Sequence, residues 1–327
     1  MKLSVVDADG ATLHLDALEQ APPDLAGIAH RVVHGGLRFR EPVVIDDEVE
    51  SELAAVTELA PLHNTPALAA IRNARAQLPA RTHVAVFDSA FHATIPAEAA
   101  TYALPQHVRE DWGIRRFGFH GLSVQWASER MPVSRLVVCH LGGGCSVTAV
   151  RDGRSVDTTM GFTPLEGVPM ATRPGSVDPG AVLYLLRHRL TLDELDDMIE
   201  HESGLLGLSG LSGDVEELER SNDDGGRLAI EVFAYRVATA IGAMTVAAGG
   251  LDALVFTAGI GEHSALVRAS ICNRLGFLGV ELDVEANAAA APDATISPSG
   301  HAPSVVVIHA REDVVAARAT RELLGIQ

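Results

Sequence analysis

Three consecutive glycines, Gly142 to Gly144, stand between two strand-like runs in RLVVCHLGGGCSVTAV. Glycine in such a place lets a backbone come close to a ligand, most often a phosphate. Charged residues stand in four other glycine- or loop-rich stretches. HRVVHGG (30–36) carries Arg31 between two histidines, and FDSAFH (87–92) puts Asp88 at the C-terminal end of a strand. RRFGFHGLS (115–123) carries His120 among glycines, and TTMGFTPLEGVPMATRPGSVDPG (158–180) contains Arg173. Charge in loops between apolar strands is more often functional than decorative. The chemistry such a set could serve is the capture of a phosphate or another small anion, which needs only a few local cations.

The order of elements around the glycines narrows the device. A dinucleotide fingerprint needs GxGxxG between a strand and a helix, and here a second strand follows. TAGIGEHS (257–264) does stand between strand and helix, but Ser264 occupies the third glycine position. A Walker A loop needs a lysine, and the one lysine in the chain is Lys2. What remains is a β-hairpin whose turn amides hold an anion, or simply a tight hairpin. The other residues have ordinary uses as well. An arginine in a loop is commonly a surface cation, a histidine a satisfied structural group, and Asp88 a turn cap.

These residues need a scaffold, and 327 residues suffice for two domains. Hydrophobic residues make up 47% and charged residues 21%, the balance of a globular protein. A net charge of −18 argues against nucleic acid or an anionic membrane as partner. Cys139, Cys145 and Cys272 form no CxxC pair, so neither a disulfide framework nor a zinc site is indicated. No apolar run reaches membrane-spanning length and no leader pattern opens the chain, which leads to a cytoplasmic expectation. Strand-like runs at 3–9, 42–46, 83–88, 135–141, 146–150, 253–259 and 304–310 alternate with helical patterns. Those helices are 64–78 with Asn64 as cap, 191–202 with a threonine cap, the nearly apolar 229–248, and 312–324. The class is α/β, mixing hairpins with strand–helix units. Residues 286–303 read as a low-complexity surface loop.

The stretches HRVVHGG, APLHNTPAL, FDSAFHATIP, GIRRFGFHGLS, CHLGGGCSV, DTTMGFTPLEGVPMATR, SGLLGLSG, FTAGIGEHSALVR and LGFLGVELD follow one another from about residue 28 onward. In this order they resemble the acetate and propionate kinase family, of the actin/Hsp70/sugar-kinase fold (ribonuclease H-like). The resemblance implies two domains, residues 1–130 with 311–327 for the acyl substrate and 131–310 for nucleotide, with the site in the cleft between them. It implies reversible phosphoryl transfer between ATP and acetate, giving ADP and acetyl phosphate, with Mg2+ as cofactor and a homodimeric assembly. By the same resemblance Arg31, Asp88, His120 and Arg173 are catalytic, and Asp88 and Glu312 hold the metal. Val33, Leu62, Phe119 and Pro164 form the acyl pocket, and the valine at 33 narrows it towards acetate. His140, Gly142, Gly143, Gly144, Asp214, Gly259 and Gly261 contact the nucleotide.

The chain also departs from the family pattern. It opens MKLSVVDADG where the family carries a strand and a turn of the form NAGSSSLK, so the first phosphate loop is expected to be lacking. Gly143 replaces an asparagine, Glu216 an arginine beside the base, Val124 and His263 other polar residues. Ala171, Pro174 and Ser176 alter the surroundings of Arg173. The alternatives are therefore a non-catalytic member that binds nucleotide or acyl phosphate, a propionate or butyrate kinase, or an enzyme using another phosphoryl donor.

Overall fold

The computed structural model describes residues 3–326, apart from the side chains at 59, 61 and 62. Strands β1 (Leu3–Val6) and β2 (Thr12–Leu15) form an antiparallel hairpin, closed by the Asp7 carboxylate accepting from the amides of Asp9 and Ala11. Next come β3 (Ile28–Val32), β4 (Val43–Val44) and β5 (His83–Phe87), in the sheet order β3-β5-β4. The run HVAVF in β5 is buried at every residue, as a central strand covered on both faces must be. Because β3 lies parallel to β5, both deliver their C-terminal residues, Arg31 and Asp88, to one edge of this sheet. A groove of about 810 Å³ separates the β1–β2 hairpin from β3 and is lined by Leu3, Val5, Leu15, Leu25 and Ile28 among others.

Helix α1 (Pro61–Gln77) starts three residues earlier than the expected asparagine cap. Proline at the first helical position is preorganised for the turn and needs no amide partner. Asn64 is freed for another task. Buried inside the helix, it accepts from the His34 amide and donates to the His34 carbonyl, pinning the HGG loop to α1. Helix α2 (Gly121–Arg130) follows the GFHG stretch.

The larger sheet holds β6 (Arg135–Leu141), β7 (Cys145–Arg151), β8 (Arg154–Thr158), β9 (Ala253–Thr257), β10 (Ala294–Thr295) and β11 (Ser304–Val307), in the order β10-β11-β9-β6-β7-β8. β6 and β7 pair antiparallel up to Leu141 opposite Cys145, which leaves the three glycines alone to make the turn. The expected 191–202 helix is α-helical over Leu192–Asp197, behind a capping box at Thr191, and continues in the wider i→i+5 form to Glu202. Short helix α3 (Val215–Arg220) precedes α4 (Asp224–Ala248), which crosses this sheet. By length and composition α4 could span a bilayer, contrary to the sequence expectation. Its buried face, including Phe233, Val237 and Ile241, instead fills the main apolar core with β6 and β7. Helices α5 (Ala258–His263) and α6 (Ala265–Cys272) follow β9, and α7 (Glu312–Leu324) returns the chain to β3, β5 and α2.

Residues 286–303 are not the featureless loop their composition indicates. Ile296 is fully buried and its amide bonds Val305. Asn287 is buried because Arg268, 1% exposed, must be satisfied inside the protein. The guanidinium donates to the Asn287 side-chain and main-chain oxygens and to the carbonyls of Gly261 and Glu262. A buried charge keeps its place only when every donor is answered. Asn287→Ala is expected to lower unfolding free energy by about 2 kcal/mol, the usual cost of losing a hydrogen bond to a charged group. Urea denaturation checks this.

Candidate active site

Two groups of side chains converge from the two sheets. The first surrounds Arg31. Its Nε and Nη2 donate to the two oxygens of Asp88 at 2.8 and 2.7 Å, a bidentate pair, and Nη1 donates to Glu312. Asp88 is 1% exposed, and this guanidinium is the partner that answers its buried carboxylate. Burial works against the charge on Arg31, but Asp88 and Glu312 together hold its pKa well above the usual value. Glycine makes the junction possible. A Cβ at Gly121 would lie 2.1 Å from the Asp88 carbonyl oxygen, so the start of α2 seats directly on the end of β5.

The second group gathers at the glycine turn. A Cβ at Gly144 would lie 3.1 Å from both His120 Nε2 and Arg173 Nη2, so both side chains point at the same piece of backbone. His120 has φ of 59°, a left-handed conformation that turns the chain into α2. Its ring stacks on His140 at 4.0 Å between centroids. Ser146 Oγ lies 3.0 Å from His120 Nδ1, and Ser123 Oγ lies 2.8 Å from His140 Nδ1. Burial first, then the neighbouring His140 and the two arginines, push the His120 pKa well below normal, and burial brings His140 to about 3. Both rings are neutral at pH 7. Arg173 donates Nη1 to the Pro164 carbonyl at 3.0 Å, and burial lowers its pKa.

Of the residues expected to form the acyl pocket, Phe119 is 1% exposed in the main core and Val33 packs against that same core. Pro164 meets Arg173 through its carbonyl. The Leu62 side chain lies outside the described residues. His34, fully buried, sets its ring edge-on to Phe119 and reaches the Phe162 carbonyl at 3.1 Å. Its Nδ1 accepts from the Gly36 amide, so Nε2 carries the proton.

The nucleotide candidates are distributed differently. Gly142 approaches Ala258, bringing the hairpin beside the turn that contains Gly259 and Gly261. Gly143 borders open space, and its carbonyl accepts from Ala171. Asp214 is the cap of α3, accepting from the Glu216 amide at 2.8 Å. Glu216 is paired with Arg220. Cys139 and Cys145 are buried, with the Cys145 thiol pushed up to about 12 by burial.

Two residues escaped the sequence reading. His63 follows Leu62, and its pKa is lowered by burial and then by Arg173, with Asp88 opposing and Arg31 adding to the shift. In APLHNTPAL the histidine stands beside an asparagine whose local pattern reads as a helix cap. Glu262, 4% exposed, accepts from the amides of Ala258 and Ala310 and pairs with His309. It ties the glycine turn of α5 to the segment that leads into Glu312. Its place in GIGEH was the available clue.

The model of the acetokinase family matches residues 6–318. An acetate kinase from Nostoc punctiforme is 46% identical over 318 residues, covering 94% of this chain and 77% of that protein. The chain belongs to the acetokinase family. Among solved structures, a Porphyromonas gingivalis acetate kinase superposes with a TM-score of 0.87 at 31% identity, over 99% of this chain and 90% of that one. A Francisella tularensis propionate kinase gives 0.85 at 38% identity, over 90% of this chain and 78% of that one. The fold is therefore the actin-like ATPase fold of these kinases.

Neutral buried histidines have a consequence for stability. Burial lowers the pKa of His34 and of His92 to about 4, from 6.5. Between pH 4 and 6.5 the unfolded chain thus binds more protons than the folded one, and stability falls as pH drops. Each group contributes a slope of up to about 1.4 kcal/mol per pH unit there. Urea midpoints are expected to be flat near pH 7 and to fall clearly by pH 5.

Proposed function

We propose that this chain transfers a phosphoryl group reversibly between ATP and acetate, giving ADP and acetyl phosphate. The convergence of Arg31, His120, Arg173 and the Gly142–Gly144 turn carries the reading. Acetate is already ionised at neutral pH, so no base is required. The obstacle is the approach of one anion to another. Arg31 and Arg173 stay charged and can hold carboxylate and phosphoryl oxygens with paired donors. Neutral His120, with Ser146 donating to Nδ1, presents an Nε2 proton to a third oxygen as charge spreads over the equatorial positions. One acetate oxygen bonds to the γ-phosphorus, the bond to the ADP oxygen breaks, and ADP leaves with that electron pair.

Asp88 and Glu312, two carboxylates brought to one guanidinium, form a donor set of the sort magnesium uses beside phosphates, with waters completing its shell. Bound there, Mg2+ would neutralise phosphate charge. The pocket of Val33, Leu62, Phe119 and Pro164 would receive the methyl group, with acetate preferred over propionate. His140, Gly142 to Gly144, Asp214, Gly259 and Gly261 would meet the nucleotide. A non-catalytic reading has Glu216 in its favour, since a carboxylate paired with Arg220 stands near Asp214 where the family pattern has an arginine.

We further divide the chain into residues 1–130 plus 311–327 and residues 131–310, with closure between them excluding water. The three buried free thiols suit a cytoplasmic setting. Leu228, Tyr235 and Val246 form one exposed stripe along α4, a surface suited to a homodimer.

A hydroxamate assay with acetate, ATP and magnesium tests the activity. Arg173→Ala is expected to lower kcat about 100- to 1,000-fold with an unchanged melting curve. Arg31→Ala is a poorer probe because it strands the buried Asp88. Absence of acetyl phosphate from the unaltered chain would favour the non-catalytic reading. For assembly, light scattering should give twice 34.4 kDa, and Val246→Glu should shift the species to monomer.

A further inference from the structure

Loop 159–166 carries two carbonyls on which the acyl pocket depends, Phe162 to His34 and Pro164 to Arg173. Neither His34 nor Arg173 accounts for how this loop is held. The support comes from its other side. Arg116 Nη1 lies 2.9 to 3.1 Å from three successive carbonyls, those of Thr158, Thr159 and Met160. Its Nη2 donates to Glu166 Oε1 at 2.9 Å. The other oxygen of Glu166 accepts from the Tyr102 hydroxyl, and that hydroxyl accepts from the Phe162 amide at 2.9 Å. Burial and then Glu166 raise the Tyr102 pKa, so the phenol keeps its proton and remains the donor to the carboxylate.

The loop is pressed against this chain of bonds. A Cβ at Gly161 would lie 1.7 Å from Glu166 Oε2 and 2.0 Å from the Tyr102 oxygen, so no other residue fits there without displacing the bond. The Gly161 carbonyl meanwhile accepts from the Phe117 amide at 3.0 Å. Residues 158–166 are therefore fixed at nearly every step, and the two carbonyls that meet His34 and Arg173 inherit that rigidity.

We propose that Tyr102, Arg116 and Glu166 are positioning residues that set the depth of the acyl pocket and the reach of Arg173, and so enforce acetate over longer carboxylates. This rests on the phosphoryl-transfer reading above. A pocket discriminates one methylene only while its walls cannot yield. Tyr102→Phe removes a single oxygen and keeps the ring, freeing the Phe162 amide and one carboxylate oxygen. Glu166→Ala removes the whole centre of the clamp, and Glu166→Gln restores an acceptor for Arg116.

The experiment compares kcat/KM for acetate and propionate, the KM for ATP, and the dissociation constants of both acids by NMR titration. The acetate-to-propionate ratio is expected to fall about tenfold in Tyr102→Phe and further in Glu166→Ala. Glu166→Gln should recover part of it, with the KM for ATP unchanged throughout. A ratio that stays at the unaltered value, whether the rates hold or fall together, overturns the proposal, because loss of folded protein lowers both acids alike. If the unaltered chain shows no turnover, the phosphoryl-transfer reading fails. The ratio of dissociation constants then decides the clamp by the same criterion, and absence of binding by either acid overturns it too.

Discussion

Asp88 is a carboxylate almost sealed from water at the end of a strand with no exposed residue, and it has to be neutralised where it stands. Arg31 does so with a two-point contact, and Glu312 balances the guanidinium from the far end of the chain. Much of the architecture follows from that requirement. Strands β3 and β5 must run parallel to bring residues 31 and 88 to one edge, and α7 must bring the second acid to Arg31 from 281 residues away. The same demand prepares the site for chemistry. The guanidinium itself stays partly open to solvent while answering both acids, so the resting contacts order the three groups without sealing them.

The second organising device is close approach of backbone. Gly121 lets α2 sit on the Asp88 carbonyl, and Gly144 lets the glycine turn approach His120 and Arg173. A methyl group would collide with the carbonyl in the first place and press on the two side chains in the second. Gly143 is of another kind, because nothing lies near it, and the open space costs the site a side-chain donor and no packing. The histidines add rigidity without charge. Stacked and hydrogen-bonded through serine hydroxyls, His120 and His140 stay neutral next to two arginines, which avoids placing a third and fourth cation in the cleft.

Much of this was legible in the chain. β5 shows as an apolar run behind His83, the 312–324 helix by its amphipathic pattern, and the hairpin by glycines between two β-branched strands. Asn64 and Asn287 were not legible in the same way. Asparagine before a helical pattern is a cap by its local chemistry, but a proline three residues earlier had already started the helix, and His34 claimed the amide. Residues 286–303 are poor in large apolar groups, so composition cannot disclose that one of them answers a buried arginine from another helix. His63 and Glu262 were passed over because their roles depend on what surrounds them.

The sequence by itself determined the family, the sheet-forming runs, and the types of group available: two arginines, a neutral-capable histidine, two acids and a glycine turn. These follow from local pattern, since periodicity, glycine spacing and charge are properties of neighbouring residues. Only the tertiary structure decided which acid answers which base, which tautomer His34 adopts, and how loop 159–166 is braced by Tyr102, Arg116 and Glu166. Those relations join residues tens to hundreds of positions apart. Their energies depend on burial and distance, which exist only once the chain has folded.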